Sequence, residues 1–171
     1  MNKIVKLTLI LFLVSAIIAG VLGLTNMVTE KPIAEYNERK TAEAYSAVMD
    51  FDSYDEVSYS GEVTKVYKTN NGDWIVEAEV SGSQGMITVA VGVNADLTCN
   101  GISIISSSET SGLGSKASNA EFKDQFPGLT ADQAKVTKDG GQINAITGAT
   151  ITSRAVCTAV GAAIEAVGTL G

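Results

Sequence analysis

Residues 59–105 read YSGEVTKVYKTNNGDWIVEAEVSGSQGMITVAVGVNADLTCNGISII and contain four segments with the composition of β-strands. Between the first two, Asn71-Gly72 marks a hairpin turn, because Asn-Gly tolerates the positive φ that such turns require. A short Asn-Ala-Asp segment separates the last two. The sequence therefore predicts an antiparallel sheet with strands at 59–67, 74–80, 86–93 and 97–105.

Helical patterns lie on both sides of these strands. Residues 29–49 place apolar side chains near one helical face, and Pro32 suits the first turn of a helix. A short helix is predicted at 121–126, where Pro127 follows, and a final helix rich in Ala and Val at 150–167. A sheet with helices packed against it, without an internal repeat, is an α+β domain.

An uncharged apolar segment precedes the helix at 29–49. Residues 7–24 read LTLILFLVSAIIAGVLGL, which is just long enough to cross a bilayer once. A cleaved signal peptide is the alternative, but the apolar run is longer than is usual there and no convincing cleavage site precedes Thr25. Lys3 and Lys6 lie before the run, so the positive-inside rule predicts a cytoplasmic N-terminus and an extracytoplasmic domain.

These patterns predict three regions in the 171-residue chain. They are an N-terminal single transmembrane helix at 1–28, a helical stalk at 29–56 and one domain at 57–171. The helix at 29–49 fits a stalk and a surface helix packed on the domain equally well.

Composition excludes several classes of function. The chain has no histidine, so Ser–His–Asp catalysis is excluded and the commonest metal ligand is absent. Cys99 and Cys157 alone could supply thiolates, which predicts no metal site. Both are expected to be buried small residues, although a disulfide between them is possible. The net charge of −7 repels nucleic acid. We therefore predict no catalytic residues, and assign any redox chemistry to an organic cofactor.

The region before the last helix has the features of a phosphate site. Residues 144–153 read NAITGATITS, in which Gly148 permits a tight turn or a close backbone approach to a ligand. Three hydroxyl residues, Thr150, Thr152 and Ser153, follow at the predicted helix start. A helix N-terminus presents free N–H groups and a positive dipole end, which favour a phosphate.

Arg154 lies four residues after Thr150, so both side chains can share one helical face. This spacing predicts that a phosphate ester on Thr150 would lie beside a guanidinium. An ordinary N-cap is the alternative, because Ser and Thr are common before helices.

The stretch resembles the flavinylation motif Asp-x-x-Ser/Thr-Gly-Ala-Thr of the FMN-binding subunits in the RnfG/NqrC family. Thr147, Gly148 and Ala149 match its core. The resemblance implies that Thr150 carries FMN covalently through its phosphate, after attachment by a flavin transferase. Asn144 replaces the leading Asp of the motif; it retains the size and an acceptor oxygen but lacks the charge.

A second match lies upstream. Residues 109–116, ETSGLGSK, resemble the Glu-Thr-Pro-Gly-Leu-Gly loop of the same family, with Ser111 in place of Pro. Taken alone, the loop could be a flexible surface turn; in this order before the motif, it is expected to approach the flavin. The further residues predicted to bind the cofactor are Glu109, Thr110, Gly112, Leu113, Gly114, Thr152 and Ser153.

The resemblance covers nearly the whole chain and is strongest to RnfG, the G subunit of a ferredoxin:NAD oxidoreductase complex that couples electron flow to Na⁺ or H⁺ translocation. It implies an FMN-binding domain on a cell-membrane anchor, acting as an electron carrier with the other membrane subunits of such a complex rather than as a self-sufficient enzyme. The alternatives are an NqrC-type subunit of a Na⁺-pumping quinone reductase, a stand-alone extracytoplasmic flavinylated carrier, and a non-redox surface domain.

Overall fold

The computed structural model describes residues 3–170 and divides the chain into two compact units, Met1–Lys40 and Thr41–Gly171. The first unit is helical. Its helix, α1, spans Lys3–Val48, so that its last turns belong to the second unit. The large apolar side chains of residues 7–24 are exposed. Their helix is long and apolar enough to cross a membrane, and none of its most apolar window is buried in the protein.

The anchor and the helix predicted at 29–49 form one continuous helix. Pro32 lies inside α1, so its placement in the first turn of a separate helix was wrong. Proline removes one N–H donor and disfavours the helix interior. Here residues with good helical propensity on both sides, such as Glu30, Lys31 and Ala34, continue the helix through that position.

The second unit contains one five-stranded sheet in which each strand pairs antiparallel with the next along the chain. At the predicted Asn-Gly turn, the N–H of Thr69 donates to the carbonyl of Asp73 at 2.9 Å, and Gly72 has a φ of 92°. The hairpin prediction is confirmed. The strands are β1 Tyr54–Val57, β2 Lys65–Thr69, β3 Trp74–Ser81, β4 Met86–Val93 and β5 Cys99–Ser107.

The first predicted strand, 59–67, differs most from the strands in the structure. Strand β2 covers only the end of the segment 59–67, and the edge strand β1 lies before it. Residues 58–64 form an irregular connection that includes Gly61. Strand β1 was not predictable from the sequence, because this edge strand exposes residues such as Asp55 and Glu56 and shows no alternation of apolar and polar residues.

Helices cover both faces of the sheet. Helix α3, Thr150–Leu170, buries most of its length in the domain core, which accounts for its apolar composition. The short α2, Ala120–Lys123, adds Phe122 to the same core. On the other face, Tyr45 and Val48 of α1 pack on the sheet, so the end of the helix at 29–49 is a packed surface helix.

Candidate functional site

A cavity of about 370 Å³ lies where three segments of the second unit meet. One segment is the turn between β3 and β4, another is the glycine loop after β5, and the third is the start of α3. The residues that line it are Ser83, Gln84, Glu109, Thr110, Leu113, Gly114, Gly148, Ala149, Thr150, Ile151 and Thr152. We call this space the α3 cavity.

The chain enters α3 through a tight turn. Gly148 has a φ of 80°, a left-handed conformation that other residues adopt only with strain. A Cβ at this position would also lie 3.3 Å from Cδ2 of Leu113. The N–H of Ala149 donates to the carbonyl of Ile146 at 2.9 Å, and the N–H of Ser153 to that of Ala149 at 3.0 Å. The first turn of α3, with its free N–H groups and positive dipole end, therefore borders the cavity.

The three hydroxyl residues of this turn have different surroundings. Thr152, which is buried, donates its hydroxyl to Oε2 of Glu109. The Ser153 hydroxyl donates to the carbonyl of Ala149 and accepts from the N–H of Ile146, both at 2.9 Å. Thr150 is half-buried, and its hydroxyl makes no hydrogen bond to any residue that the structure describes. Of the three, Thr150 has the hydroxyl that remains available to a ligand.

Glu109 connects the walls of the cavity. Its Oε1 accepts the backbone N–H groups of Ser83 at 2.7 Å and Gln84 at 2.9 Å, while Oε2 accepts the Thr152 hydroxyl. Burial raises the pKa of this carboxyl, but the hydrogen bonds from Thr152, Gln84 and Ser83 outweigh that effect and hold the pKa below its ordinary value. The side chain is therefore ionised at neutral pH.

The structure does not support the expectation that the Arg154 guanidinium lies beside Thr150, because Arg154 is not among the residues that line the α3 cavity. Its Nε and Nη2 each donate to an oxygen of Asp139 at 2.7 Å. The pair borders a different cavity, of about 300 Å³, together with Cys157. Hydrogen bonding to Arg154 lowers the pKa of Asp139. The spacing of four residues places the Cα atoms of Thr150 and Arg154 on one helical face. The direction of the long Arg154 side chain, however, is set by its charge-assisted hydrogen bonds to Asp139.

The first half of the motif faces a third cavity, also of about 300 Å³. Asn144 and Thr147 line it and are exposed. Gln125 holds this segment: the N–H of Asn144 donates to Oε1 of Gln125 at 2.8 Å, and Nε2 of Gln125 donates to the Asn144 carbonyl at 3.4 Å. The predicted residues Asn144 and Thr147 are thus not among the residues that line the α3 cavity.

Two other predicted residues support the α3 cavity without lining it. Gly112 has a φ of 79°, and its N–H donates to the Ser115 hydroxyl at 2.9 Å, which shapes the glycine loop. Ser153 holds the turn before α3, as described above. Eight predicted residues line the cavity itself, namely Glu109, Thr110, Leu113, Gly114, Gly148, Ala149, Thr150 and Thr152.

Sequence reasoning missed three lining residues, Ser83, Gln84 and Ile151. The first two lie in the turn Gly82–Gly85, where a glycine on each side was the available signal. Ile151 is the single large apolar residue among hydroxyl residues in the first turn of α3, and it is 60% exposed. A single exposed apolar residue is common on protein surfaces, so nothing in the sequence indicated that Ile151 lines the cavity.

The residues around the α3 cavity fit an FMN group. The helix start and the Thr150 hydroxyl suit a phosphate, as anions are stabilised at helix N-termini. Leu113, 44% exposed, and Ile151 add apolar surface that suits a flat aromatic ring. Such a mixture of apolar walls with a few polar groups is typical of a cofactor site.

Comparisons with known proteins identify an FMN-binding domain in this part of the chain. A family profile described as the FMN-binding domain matches residues 82–165. The chain is 33% identical over 177 residues to a protein of Methanosarcina acetivorans that is named as the G subunit of an ion-translocating oxidoreductase complex. The matched region covers 96% of the chain and 94% of that protein.

Two further relatives have similar coverage. The G subunit of the Na⁺-translocating ferredoxin:NAD⁺ oxidoreductase complex of Acetobacterium woodii is 38% identical, over 94% of the chain and 89% of the relative. The G subunit of the proton-translocating ferredoxin:NAD⁺ oxidoreductase complex of Clostridium ljungdahlii is 36% identical, over 96% and 89%.

Proposed function

The chain belongs to the RnfG family of G subunits of ion-translocating oxidoreductase complexes, and from this premise we propose that it is the FMN-carrying electron-transfer subunit of such a membrane complex. We propose that the complex transfers electrons between ferredoxin and NAD⁺, since two relatives are named as subunits of ferredoxin:NAD⁺ oxidoreductase complexes. The other membrane subunits are its partners. FMN supplies the redox chemistry when it is bound, and the protein supplies attachment and surroundings.

We further propose that FMN is attached covalently to Thr150. The observation that carries this proposal is the difference among the hydroxyls at the start of α3: Thr152 and Ser153 are engaged within the protein, whereas Thr150 faces the cavity. A phosphoester there would lie at the positive end of the α3 dipole, which stabilises its charge. A flavin transferase would use an activated flavin nucleotide as the donor. The bond between Oγ1 of Thr150 and the phosphorus forms as the bond from that phosphorus to its leaving group breaks, and the hydroxyl proton is lost. The net addition is FMN less one water.

The experiment is co-expression with a flavin transferase, followed by mass spectrometry of the protein and its peptides. We expect one FMN less one water on the peptide that contains Thr150, and flavin fluorescence that persists through denaturation. Thr150→Ala should abolish both. Thr158→Ala is the matched control, since Thr158 is an exposed threonine of α3 whose hydroxyl bonds the Arg154 carbonyl. Modification mapped to Thr147 or Thr152 would contradict the assignment.

The sidedness of the domain is also a proposal. Lys3 and Lys6 precede the apolar run, which supports a cytoplasmic N-terminus and an extracytoplasmic FMN domain. An impermeant maleimide should label Lys138→Cys, an exposed position, in intact cells or spheroplasts. Background labelling should be low because Cys99 and Cys157 are buried. Labelling only after the membrane is broken would reverse the topology.

We propose that α1 anchors the subunit and does not conduct the translocated ion. Thr8 and Ser15 are the polar side chains of residues 7–24, and the Thr8 hydroxyl donates to the carbonyl of Ile4 within the same helix at 3.0 Å. An ion path needs polar groups that face a cavity, since a charge in hydrocarbon is costly. The double variant Thr8→Val, Ser15→Ala should retain electron transfer and ion transport in the assembled complex. Loss of transport alone would assign α1 to the ion path.

A further inference from the structure

Three segments that are distant in sequence meet at one carboxylate. Glu109 accepts hydrogen bonds from the turn after β3, through the N–H groups of Ser83 and Gln84, and from the first turn of α3, through Thr152. Glu109 itself belongs to the glycine loop. The three walls of the α3 cavity are therefore connected through a single side chain.

The surroundings of this carboxylate are shaped to hold it. A Cβ added at Gly82 would collide with Oε1 of Glu109, and a Cβ added at Gly114 would collide with Oε2. Neither Gly82 nor Gly114 is among the described glycines with a positive φ. Backbone conformation therefore does not explain why glycine occupies these two positions. At Gly114 the nearest atoms all belong to Glu109, whereas at Gly82 a Cβ would also lie 2.7 Å from Cδ1 of Ile87. The Glu109 side chain therefore explains Gly114, and together with Ile87 it explains Gly82.

The charge of Glu109 strengthens these contacts. Burial opposes ionisation, yet the hydrogen bonds to its two oxygens hold the pKa below the ordinary value. Hydrogen bonds to an ionised acceptor are roughly twice as strong as those between neutral groups. A glutamine at this position could retain part of the geometry without the charge.

We propose that Glu109 is a positioning residue whose carboxylate fixes the β3–β4 turn and the first turn of α3 around the α3 cavity. It occupies the Thr152 hydroxyl and thereby leaves Thr150 as the hydroxyl presented to the flavin. This inference rests on the proposed attachment of FMN to Thr150. Its contacts, however, exist in the protein alone and are measurable before any flavin is attached.

The first experiment is hydrogen exchange on the unmodified full-length chain. In Glu109→Ala, the amides of Ser83 and Gln84 should exchange about tenfold faster or more, as expected for the loss of a charge-assisted hydrogen bond. Glu109→Gln should give a smaller increase. Glu79→Ala, at an exposed glutamate of β3, is the matched control and should leave these amides unchanged. Equal exchange in Glu109→Ala and the wild type would overturn the proposal.

The second experiment uses the flavinylated protein. Glu109→Ala should retain covalent flavin on Thr150 but show faster decay of flavin fluorescence anisotropy, because the cavity walls are no longer joined. Thr152→Val, which removes one contact and little volume, should show the same change in weaker form, and Thr152→Ser should restore the wild-type decay. Unchanged decay in both Glu109→Ala and Thr152→Val would exclude a positioning role.

The two proposals fail in different ways. If the wild-type protein carries no covalent flavin, the proposed attachment of FMN to Thr150 is wrong. Hydrogen exchange at Ser83 and Gln84 still tests the Glu109 contacts in that case. If Glu109→Ala does not fold, Thr152→Val and Glu109→Gln provide the measurement.

Discussion

The two faces of the sheet are built on different principles. The face under α3 is apolar, with Val76, Val89, Val91, Val156 and Val160 fully buried. The face under the end of α1 includes polar groups. There the Tyr45 hydroxyl donates to Oε2 of Glu77 at 2.8 Å, and Nδ2 of Asn100 donates to the carbonyl of Val48 at 2.8 Å.

The difference follows from what each face has to hold. Close apolar packing under α3 holds this helix in place, and its first turn borders the α3 cavity. Closely packed interiors resist displacement of the elements that form them. On the α1 face fewer apolar side chains are buried than on the α3 face. A buried polar group lowers the stability of the fold unless it is hydrogen-bonded. The bonds of Tyr45 and Asn100 therefore favour one arrangement of the α1 end on the sheet.

Glycines allow the α1 end to approach the sheet closely. A Cβ on Gly92 would lie 2.8 Å from the carbonyl oxygen of Val48, and a Cβ on Gly101 would lie 3.3 Å from it. The two residues are register partners on neighbouring strands β4 and β5. At these two glycines the backbone of α1 approaches the sheet closely, beside the apolar contacts of Tyr45 and Val48 and the hydrogen bonds of Tyr45 and Asn100, while α3 is held mainly by side-chain packing.

The largest effect is expected on the apolar face. Phe126 is fully buried in that core and packs edge-on against Phe122, with ring centroids 5.4 Å apart. Phe126→Ala should lower the free energy of unfolding by about 3–5 kcal/mol, because it removes apolar contacts and leaves a cavity. Urea denaturation of the full chain in detergent measures it, with Met86→Ala, at an exposed site, as the control. A loss below about 1 kcal/mol would show that this face is not the main stabilising core.

A smaller effect is expected on the α1 face. Tyr45→Phe keeps the ring that packs against Tyr54 and Tyr67 and removes only the hydroxyl bonded to Glu77. The free energy of unfolding should fall by roughly 1–3 kcal/mol, the cost of leaving a buried acceptor without its donor. Lys65, 3.5 Å from the same carboxylate, moderates the loss. Tyr36→Phe, at an exposed tyrosine of α1, is the control; an equal loss in both variants would remove the distinction between the faces.

Alkaline pH should distinguish the two faces further. Burial raises the pKa of Cys99 and of Cys157 from 9.0 to about 12 on the apolar face. Burial and the bond to Glu77 raise the pKa of Tyr45 far above 10.0 on the other. Each neutral group resists ionisation in the folded protein but not in the unfolded chain, so stability is retained below the unfolded pKa and falls as pH rises above it.

The measurement is the slope of unfolding free energy against pH. A double variant, Cys99→Ala with Cys157→Ala, should flatten the slope from about pH 9 upwards, since the unfolded-chain value of both thiols is 9.0. Tyr45→Phe should change it only above about pH 10, the ordinary tyrosine value. Slopes are compared rather than absolute stabilities, because each variant also alters packing. Identical slopes in all three proteins would contradict the assignment of these groups.

The smallest effect is expected from Arg154. Its guanidinium is bonded to Asp139 and borders another cavity, so Arg154→Ala should leave the anisotropy decay of attached flavin unchanged. Asp139→Asn, which weakens the same ion pair from the other side, is the matched variant. An exposed pair of this kind contributes little to stability. Faster flavin motion in Arg154→Ala but not in Asp139→Asn would place the guanidinium at the phosphate.

Patterns carried by neighbouring residues were predictable from the sequence. The uncharged run at 7–24, the Asn-Gly turn, the strand at 86–93 and the helix starting at Thr150 depend on local periodicity and turn chemistry. The motif around Gly148 was recognisable for the same reason, since the left-handed turn and the hydroxyls after it are adjacent in the chain. These features were confirmed in the structure.

What the tertiary structure alone decided involves residues far apart in the chain. Glu109 meets Thr152, 43 residues later, and this contact separates the engaged hydroxyl from the available one at Thr150. The pairing of Arg154 with Asp139 and the position of the edge strand β1 are of the same kind. A local sequence pattern specifies which groups are present and their spacing, but the partner of a polar side chain depends on which distant segment the fold brings within hydrogen-bonding distance.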